Sequence, residues 1–411
     1  MMLAHKIECI LRIHPLPKVM RIISKNMQLI GQKVGTYNII NKTLLSLLLI
    51  IILEGCSVDS KTHKLIRHAE EIAMELPDSA LRVVQSIDPE SVRGRHDRAH
   101  YKLVVAEAHY YNRLAVDRDT IAQPLFDYYI GSDNHAERAR ALYQHALVMQ
   151  AEGENARAMF SLLEAEKSLT HLDNPRLSGL VHRTKGHIYG AECLHKNALE
   201  EYQKSVSFFE DANLQEHSLY SKYLVAYSYA ELRNFDTAIK LFQDLEREVV
   251  EAKNYLLQND ILCRLCFVYI ELNDFIRCAE AYNRFKEFSD NTMYQYYCIG
   301  AILNAYNGNF EQSNILYSCA EKESISNPTL LKYTKCQILI HKGEFHKALN
   351  TYIECIDLQD KFVFNALNNS LLQSQVDLLS GQVASAKEIQ QKTRLINYLF
   401  AIISAGIVLL F

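Results

Sequence analysis

The sequence predicts an all-helical solenoid, that is, a stack of helical hairpins. The 411 residues include only 14 Gly and 7 Pro, a composition typical of a helical protein. A small residue recurs every 35 to 42 positions along most of the chain, and five of these are followed four positions later by an aromatic residue. Residues four apart share a helix face, and a period of this length indicates stacked helix pairs.

The repeated small residue marks the second helix of each predicted hairpin. These residues are Ala80, Ala122, Ala158, Ala198, Ala238, Cys278, Ser313 and Ala348. Twelve positions earlier, six hairpins carry a second small residue, in the first helix. These are Ala146, Gly186, Ala226, Cys266, Ala301 and Cys336. Two helices approach closely only where neither side chain is large, so each pair predicts a crossing point. The aromatic residues expected around the crossings are Tyr202, Phe242, Tyr282, Tyr317 and Tyr352.

The turns between the helices carry Gly-Glu, Arg-Asn, Asn-Asp or Gly-Asn pairs, in which Gly and Asn tolerate left-handed backbone at a helix end. Together with the small and aromatic positions, they resemble the tetratricopeptide repeat (TPR) family over roughly residues 64–386. That family repeats every 34 residues, so units of about 40 imply longer helices or loops. The resemblance implies a superhelix with a concave side, formed by about eight hairpins within residues 56–386.

The resemblance also implies a ligand groove, lined by the first helix of each hairpin at positions 18, 15 and 11 before the small residue. The candidate binding residues are Arg140, Tyr143, Arg183, His187, Tyr220, Tyr223, Tyr227 and Phe267. The remaining groove positions include Cys263, Cys298, Ile302, Tyr333 and Gln337. Tyrosines and arginines suit an extended or helical peptide with an acidic group. The alternative is that these residues pack between neighbouring hairpins.

Residues 1–55 read as a leader that ends in a lipoprotein-like signal. The apolar run from Leu44 to Leu53 is about half the length of a spanning helix, but it suits the apolar region of a secretory signal. Gly55 and Cys56 follow, which resembles a bacterial lipoprotein signal and predicts lipidation of Cys56. Glu54 departs from that pattern, and an uncleaved anchor or a core helix are the alternatives.

The C-terminus predicts a membrane helix over residues 395–411, preceded by a basic linker at 387–394. Seventeen nearly uncharged residues are at the lower limit for crossing a bilayer. A terminal helix that caps the array is the alternative, although capping repeats need a polar outer face. We expect the protein at the cell envelope, with the repeats facing the periplasm. The basic linker before the membrane helix would favour the opposite orientation.

Two short motifs have the spacing of metal-binding or cysteine-pair sites. The histidines of HDRAH, His96 and His100, are spaced as in a zinc motif, but three nearby arginines disfavour a dication. CRLC, Cys263 to Cys266, has CxxC spacing but lies inside a predicted first helix, with Cys266 at a crossing. We therefore expect no metal, no cofactor and no enzymatic activity.

The predicted function is a non-enzymatic scaffold that binds a protein or peptide. The leader through Gly55 carries seven Lys or Arg and two Glu, so the rest of the chain has a charge near −9 against −4 for the whole, which disfavours nucleic acid. The alternative is a truncated membrane-bound sensor, because the chain resembles the sensor half of bacterial envelope TPR regulators without their DNA-binding part. A glycan-capture lipoprotein is a more distant alternative.

Overall fold

The structure is a computed structural model that describes residues 60–288, 294–323, 328–367 and 376–385, with five further positions between 388 and 396. Within the described part the chain forms sixteen α-helices up to Leu367, a further helical segment over residues 376–385, and no strand. This confirms the predicted all-helical solenoid.

The helices of the first half are α1 (Ser60–Ile72), α2 (Pro77–Gln85), α3 (Arg95–Tyr111), α4 (Gln123–Tyr129), α5 (His135–Ala151), α6 (Asn155–Leu169), α7 (Pro175–Ala191) and α8 (His195–Asp211). Those of the second half are α9 (Gln215–Glu231), α10 (Phe235–Glu251), α11 (Tyr255–Glu271), α12 (Phe275–Phe288), α13 (Tyr294–Tyr306), α14 (Phe310–Glu323), α15 (Pro328–His341) and α16 (Phe345–Leu367). Successive helices pair into eight hairpins within the described residues, α1 with α2 through α15 with α16. In the second hairpin a π-helical turn, Arg118–Ala122, leads into the short α4.

Most of the turns share one geometry, in which a residue with positive φ ends the helix. The prediction of left-handed backbone at the hairpin turns is confirmed, for example at Gly153 and Asn273. At the Arg-Asn pair it is Arg233 that adopts φ 58°, whereas the Asn234 side chain accepts a hydrogen bond from the Thr237 N–H and caps α10. The left-handed residue satisfies carbonyls of the ending helix, and the cap satisfies the first N–H groups of the next one.

The predicted crossing points are confirmed, because the small residue and its partner are both buried in all six pairs. At one crossing the Ser313 hydroxyl donates to the Ala301 carbonyl across 2.8 Å. At another, a Cβ added to Gly186 would come within 2.4 Å of the Tyr202 ring. Gly186 is therefore required there by the aromatic residue that the repeat pattern places beside it.

The aromatic prediction holds in the middle of the array and fails at its end. Tyr202 and Phe242 are buried around their crossings. Tyr352 on α16 is instead 50% exposed, because α16 belongs to the last described hairpin and no later hairpin packs on that face within the described residues. Tyr352 occupies the same repeat position as the buried aromatic residues, but no neighbouring hairpin covers it within the described residues.

The first helices crowd together on one side, which makes that side concave. The Arg176 guanidinium of α7 donates to the Tyr111 hydroxyl of α3 at 3.1 Å, two hairpins away. The Tyr333 hydroxyl of α15 likewise reaches Glu271 at the end of α11 at 2.7 Å. Side chains that skip one hairpin can meet only on the inner side of a superhelix.

No helix of the described residues is long and apolar enough to cross a membrane. The predicted signal segment and Cys56 lie outside the described residues, and so does the predicted membrane helix 395–411 apart from Ile396. Those predictions remain predictions.

Candidate ligand-binding surface

Two of the predicted groove residues, Arg140 and Tyr143, line one cavity. This cavity, the inner pocket, has a volume of about 310 Å³ between α1, α3, α5 and α7. Its lining includes Glu107, Tyr111, Arg140, Gln144, Arg176 and Leu180. The first helices of four successive hairpins therefore face the same space.

Arg140, one of the predicted ligand contacts, is held by the fold itself. Its guanidinium donates to the Glu107 carboxylate of α3 at 2.7 Å and to the Glu70 carboxylate of α1 at 2.5 Å. His100 hydrogen-bonds Glu70 at 3.0 Å. This bond, together with Arg140 and against the effect of burial, lowers the pKa of Glu70 to about 2, and the same bond raises the pKa of His100. The network links the first helices of three hairpins.

Tyr143 is also used in packing, as the alternative to ligand binding predicts. Its side chain is 3% exposed, and its ring meets the Tyr110 ring edge-on at 6.1 Å between centroids. Burial raises the pKa of the Tyr143 phenol, so the hydroxyl stays protonated.

Tyr220, Tyr223 and Tyr227 of α9 form a second feature of the concave side, which we call the tyrosine stack. Neighbouring rings are 6.0 and 6.5 Å apart and inclined by 23° and 20°, as expected for residues at i, i+3 and i+7 of one helix. Tyr223 is buried, while Tyr220 is 37% exposed. The stack therefore keeps a face open to solvent at its Tyr220 end.

An arginine lies at each end of the tyrosine stack. The Arg183 guanidinium of α7 lies 5.6 Å from the Tyr220 ring centre, and that of Arg264 of α11 lies 4.4 Å from the Tyr227 ring centre. Arg264 also donates to the Tyr223 hydroxyl at 3.3 Å. Sequence reasoning missed Arg264, because it lies one residue beyond the groove position Cys263. The signal that could have indicated Arg264 is the recurrence of arginine and tyrosine at neighbouring positions of successive first helices.

Within the described residues, neither Arg183 nor Arg264 makes an ion pair with a carboxylate. Arg183 donates instead to His217 at 3.1 Å, and its charge is one reason why the pKa of His217 falls to about 4, after the larger effect of burial. Burial, and then Arg183, lower the pKa of His187 to about 4 as well. Both imidazoles are neutral at neutral pH, so they add no charge beside Arg183. Asp260, one turn before Arg264 on α11, lies close enough for Arg264 to lower its pKa, against the larger and opposite effect of burial.

The other predicted groove positions belong to the core or to contacts between hairpins. Cys263, Cys298 and Ile302 are buried, and Phe267 packs against the same core cluster. Burial raises the pKa of the Cys263 thiol to about 12, which makes it unreactive. Gln337 donates to the Tyr333 hydroxyl at 3.2 Å. For these residues the structure favours the packing alternative.

The two short motifs also serve the fold. His100 of HDRAH bonds Glu70, and the His96 ring stacks on it at 6.2 Å between centroids. Cys266 of CRLC is buried at its crossing, where the thiol lies 3.7 Å from the Cys278 carbonyl oxygen. No group of three or more His, Cys, Asp or Glu side chains in the part that the structure describes is placed to hold a metal ion.

Comparison with known proteins supports the repeat fold. A family model described as soluble NSF attachment protein, SNAP, matches residues 126–297, which is less than half of the chain. No curated protein matches the chain.

Three solved structures share the fold at low identity. The apo form of the quorum sensor NprR from B. thuringiensis is 13% identical, with a TM-score of 0.55 over 74% of this chain and 100% of that one. A Rap protein complexed with competence and sporulation factor is 11% identical, with a TM-score of 0.52 over 81% and 94%. NprR in complex with its cognate peptide NprX is 14% identical, with a TM-score of 0.51 over 77% and 99%. The chain has a TPR-like helical-repeat fold.

Proposed function

We propose that the protein is a non-enzymatic scaffold that binds a peptide with an acidic group along its concave side, at the tyrosine stack. The observation that carries the proposal is the pair of arginines, Arg183 and Arg264, that lie on the rings at the two ends of the stack and make no ion pair within the described residues. By contrast, Arg140, which lines the inner pocket, is paired with carboxylates. A protein that leaves two arginines unpaired on one surface offers them to an anion.

The surface suits a peptide better than a small anion alone. The exposed Tyr220 ring supplies apolar contact area with a polar tip, and each guanidinium can hold a carboxylate through two parallel hydrogen bonds. The two arginines contact opposite ends of a helix stripe whose first and last tyrosines are seven positions apart, so one ligand must be extended to reach both. Two of the similar solved structures are a Rap protein complexed with competence and sporulation factor and NprR in complex with its cognate peptide, and the second supports this class of ligand.

The test is a binding screen with defined peptides. We would measure, by fluorescence polarisation, the binding of the full chain to a library of labelled peptides of about eight residues, with and without acidic positions. The expected result is selection of acidic peptides, and at least a tenfold loss of affinity in Arg183→Gln and in Arg264→Gln. Arg247→Gln is the matched control, because Arg247 is exposed and pairs with Asp244 of its own helix. Equal binding of all three variants, or selection of basic peptides, would refute the proposal.

We further propose that the array is held at the cell envelope, through a lipid on Cys56, through residues 395–411, or through both. The apolar runs before Cys56 and at the C-terminus support this location. Mass spectrometry of the N-terminus, on protein from the membrane fraction, tests it. A diacylglyceryl group on Cys56 is the expected result, whereas an unmodified cysteine in a chain recovered from the cytosol would contradict envelope anchoring.

A further inference from the structure

We propose that the second to fourth hairpins carry a binding site for an amphipathic helix, and that residues 376–385 of the same chain occupy it. We call these residues the return helix, because they follow the last described hairpin and yet pack against earlier ones. They contact a hydrophobic cluster whose other buried members run from Ala122 to Phe209. The proposal does not depend on the peptide site at the tyrosine stack.

The return helix docks through three aliphatic side chains. Val376 is 4% exposed and belongs to the buried cluster, and Leu379 and Val383 are partly buried and pack against it. Residues at i, i+3 and i+7 share one face of a helix, so all three contacts come from the same face. Leu378, on the opposite face, is 63% exposed. The segment therefore lies on the array as a helix with one buried face and one solvent-exposed face.

This contact is not one that the repeat itself makes. In an array of hairpins, each hairpin covers its neighbours. The nearest of the other buried cluster members in the sequence is Phe209 of α8, and the four hairpins from α9 to α16 lie between it and the return helix. The second to fourth hairpins therefore have an apolar surface that their own neighbours leave open, and this surface accepts a helix from outside the stack.

The small size of the contact makes the return helix exchangeable. Of its three docking side chains only Val376 is buried, whereas a helix inside the array is covered by its own partner and by the next hairpin. Gly381, in the middle of the segment, weakens the helix, and a Cβ added there would meet no described group within 4 Å. The return helix can therefore leave its site while the array stays folded.

The ligand that fits the vacated site is an amphipathic helix of another protein with aliphatic side chains at i, i+3 and i+7. Amphipathic helices bind grooves between separate chains through anchors at this spacing. A tethered helix is present at its site at an effective concentration on the order of millimolar, so a free helix competes poorly while the return helix is docked. The return helix thus sets the affinity for the partner, and its own sequence supplies the probe.

The test uses a fluorescein-labelled peptide of residues 374–387, titrated with the full chain and followed by fluorescence polarisation. The double variant Leu379→Asp/Val383→Asp destroys the apolar face of the tethered copy and opens the site. We expect it to bind the peptide at least tenfold more tightly than the wild type does. Leu378→Asp is the matched control, because Leu378 lies on the exposed face, and it should bind the peptide like the wild type.

Two altered peptides identify the bound face. A peptide with both Asp substitutions should not bind the double variant, and a Gly381→Ala peptide should bind it several-fold more tightly than the unaltered one, because alanine favours the helix. Three results would overturn the proposal: no binding of the unaltered peptide to the double variant, equal binding to wild type and double variant, or equal binding of the unaltered and Asp-substituted peptides. If the double variant fails to fold by circular dichroism, Leu379→Ala decides, since it shortens one contact and should raise the affinity for the peptide several-fold. An unchanged affinity in Leu379→Ala would then overturn the proposal.

Discussion

The inner pocket and the tyrosine stack are built from neighbouring positions on the first helices of successive repeats, but their arginines differ in how they are paired. In the pocket, Arg140 is held between carboxylates on two other helices. At the stack, Arg183 and Arg264 lie on aromatic rings and make no ion pair within the described residues, although the Asp260 carboxylate lies near Arg264. The difference teaches that an arginine on the concave side can link neighbouring hairpins in one place and remain without an ion pair in another.

The largest expected effect comes from removing the paired arginine. Arg140→Ala leaves Glu70 and Glu107 without their cation and should lower the free energy of unfolding by about 3 kcal/mol, the lower end for a buried pair, since its side chain is 25% exposed. Arg183→Ala leaves no carboxylate behind and should cost about 1 kcal/mol. Urea denaturation measures both. Equal losses would mean that the two regions do not differ in the way described.

The crossing between α7 and α8 tests the frame that carries both regions, because α7 holds Arg176 and Arg183. Gly186→Ala should cost about 2 kcal/mol, since the new Cβ would lie 2.4 Å from the Tyr202 ring. Gly190→Ala is the control on the same helix, where the Cβ would meet only the Tyr202 hydroxyl at 3.6 Å and the better helix former should stabilise by up to about 1 kcal/mol. Thermal unfolding of the two variants gives the comparison, and a stable Gly186→Ala would disprove the close approach.

The two regions should also respond to pH in different windows. The pKa of Glu70 is lowered from 4.5 to about 2, so its stabilising effect is present above pH 4.5 and is lost as the pH falls towards 2. The pKa of His100 is raised above 6.5, so its contribution is present below 6.5 and is lost as the pH rises through the raised value. At the stack, the pKa of His217 is lowered to about 4, so stability there falls between pH 6.5 and 4.

Melting temperatures across pH 2 to 9 would separate these contributions. Glu70→Gln should flatten the profile below pH 4.5 and above pH 6.5, whereas His217→Gln should flatten it between 6.5 and 4. The effects should be smaller than that of Arg140→Ala. A Glu70→Gln profile that parallels the wild type would contradict the role given to the pocket network.

The fold was predictable because its determinants are local and periodic. The twelve positions that separate Ala301 from Ser313, and Gly186 from Ala198, follow from the geometry of the turn and the length of the helices. Both can be counted in the sequence. Exposure at the array's end was not predictable in this way. Tyr352 occupies the same repeat position as Tyr202, but its burial depends on what packs beside it, which no local pattern states.

The location of the candidate site residues was predictable from the sequence, but their contacts were not. The register placed Arg140, Tyr143 and Tyr220 on the concave side, yet it could not tell that Glu70, seventy residues before Arg140, would pair with it. Nor could it show that Arg264, one residue outside the register, would turn towards Tyr223 and Tyr227. Whether an inner-side arginine is paired depends on contacts between hairpins, and these follow from the superhelix and not from any one repeat.

The smallest effect concerns how firmly the stack holds its own arginine. Tyr223→Phe removes the hydroxyl that accepts from Arg264 at 3.3 Å and should cost about 1 kcal/mol, because the bond is long for a charge-assisted one. Tyr220→Phe is the matched control, since the Tyr220 hydroxyl makes no hydrogen bond to a described residue, and it should change stability little. Combining Tyr223→Phe with Arg264→Gln in a double-mutant cycle isolates the bond. A coupling energy near zero would mean that the Tyr227 ring alone positions Arg264, so that its hydrogen-bonding fork is even freer for an anionic ligand than the structure indicates.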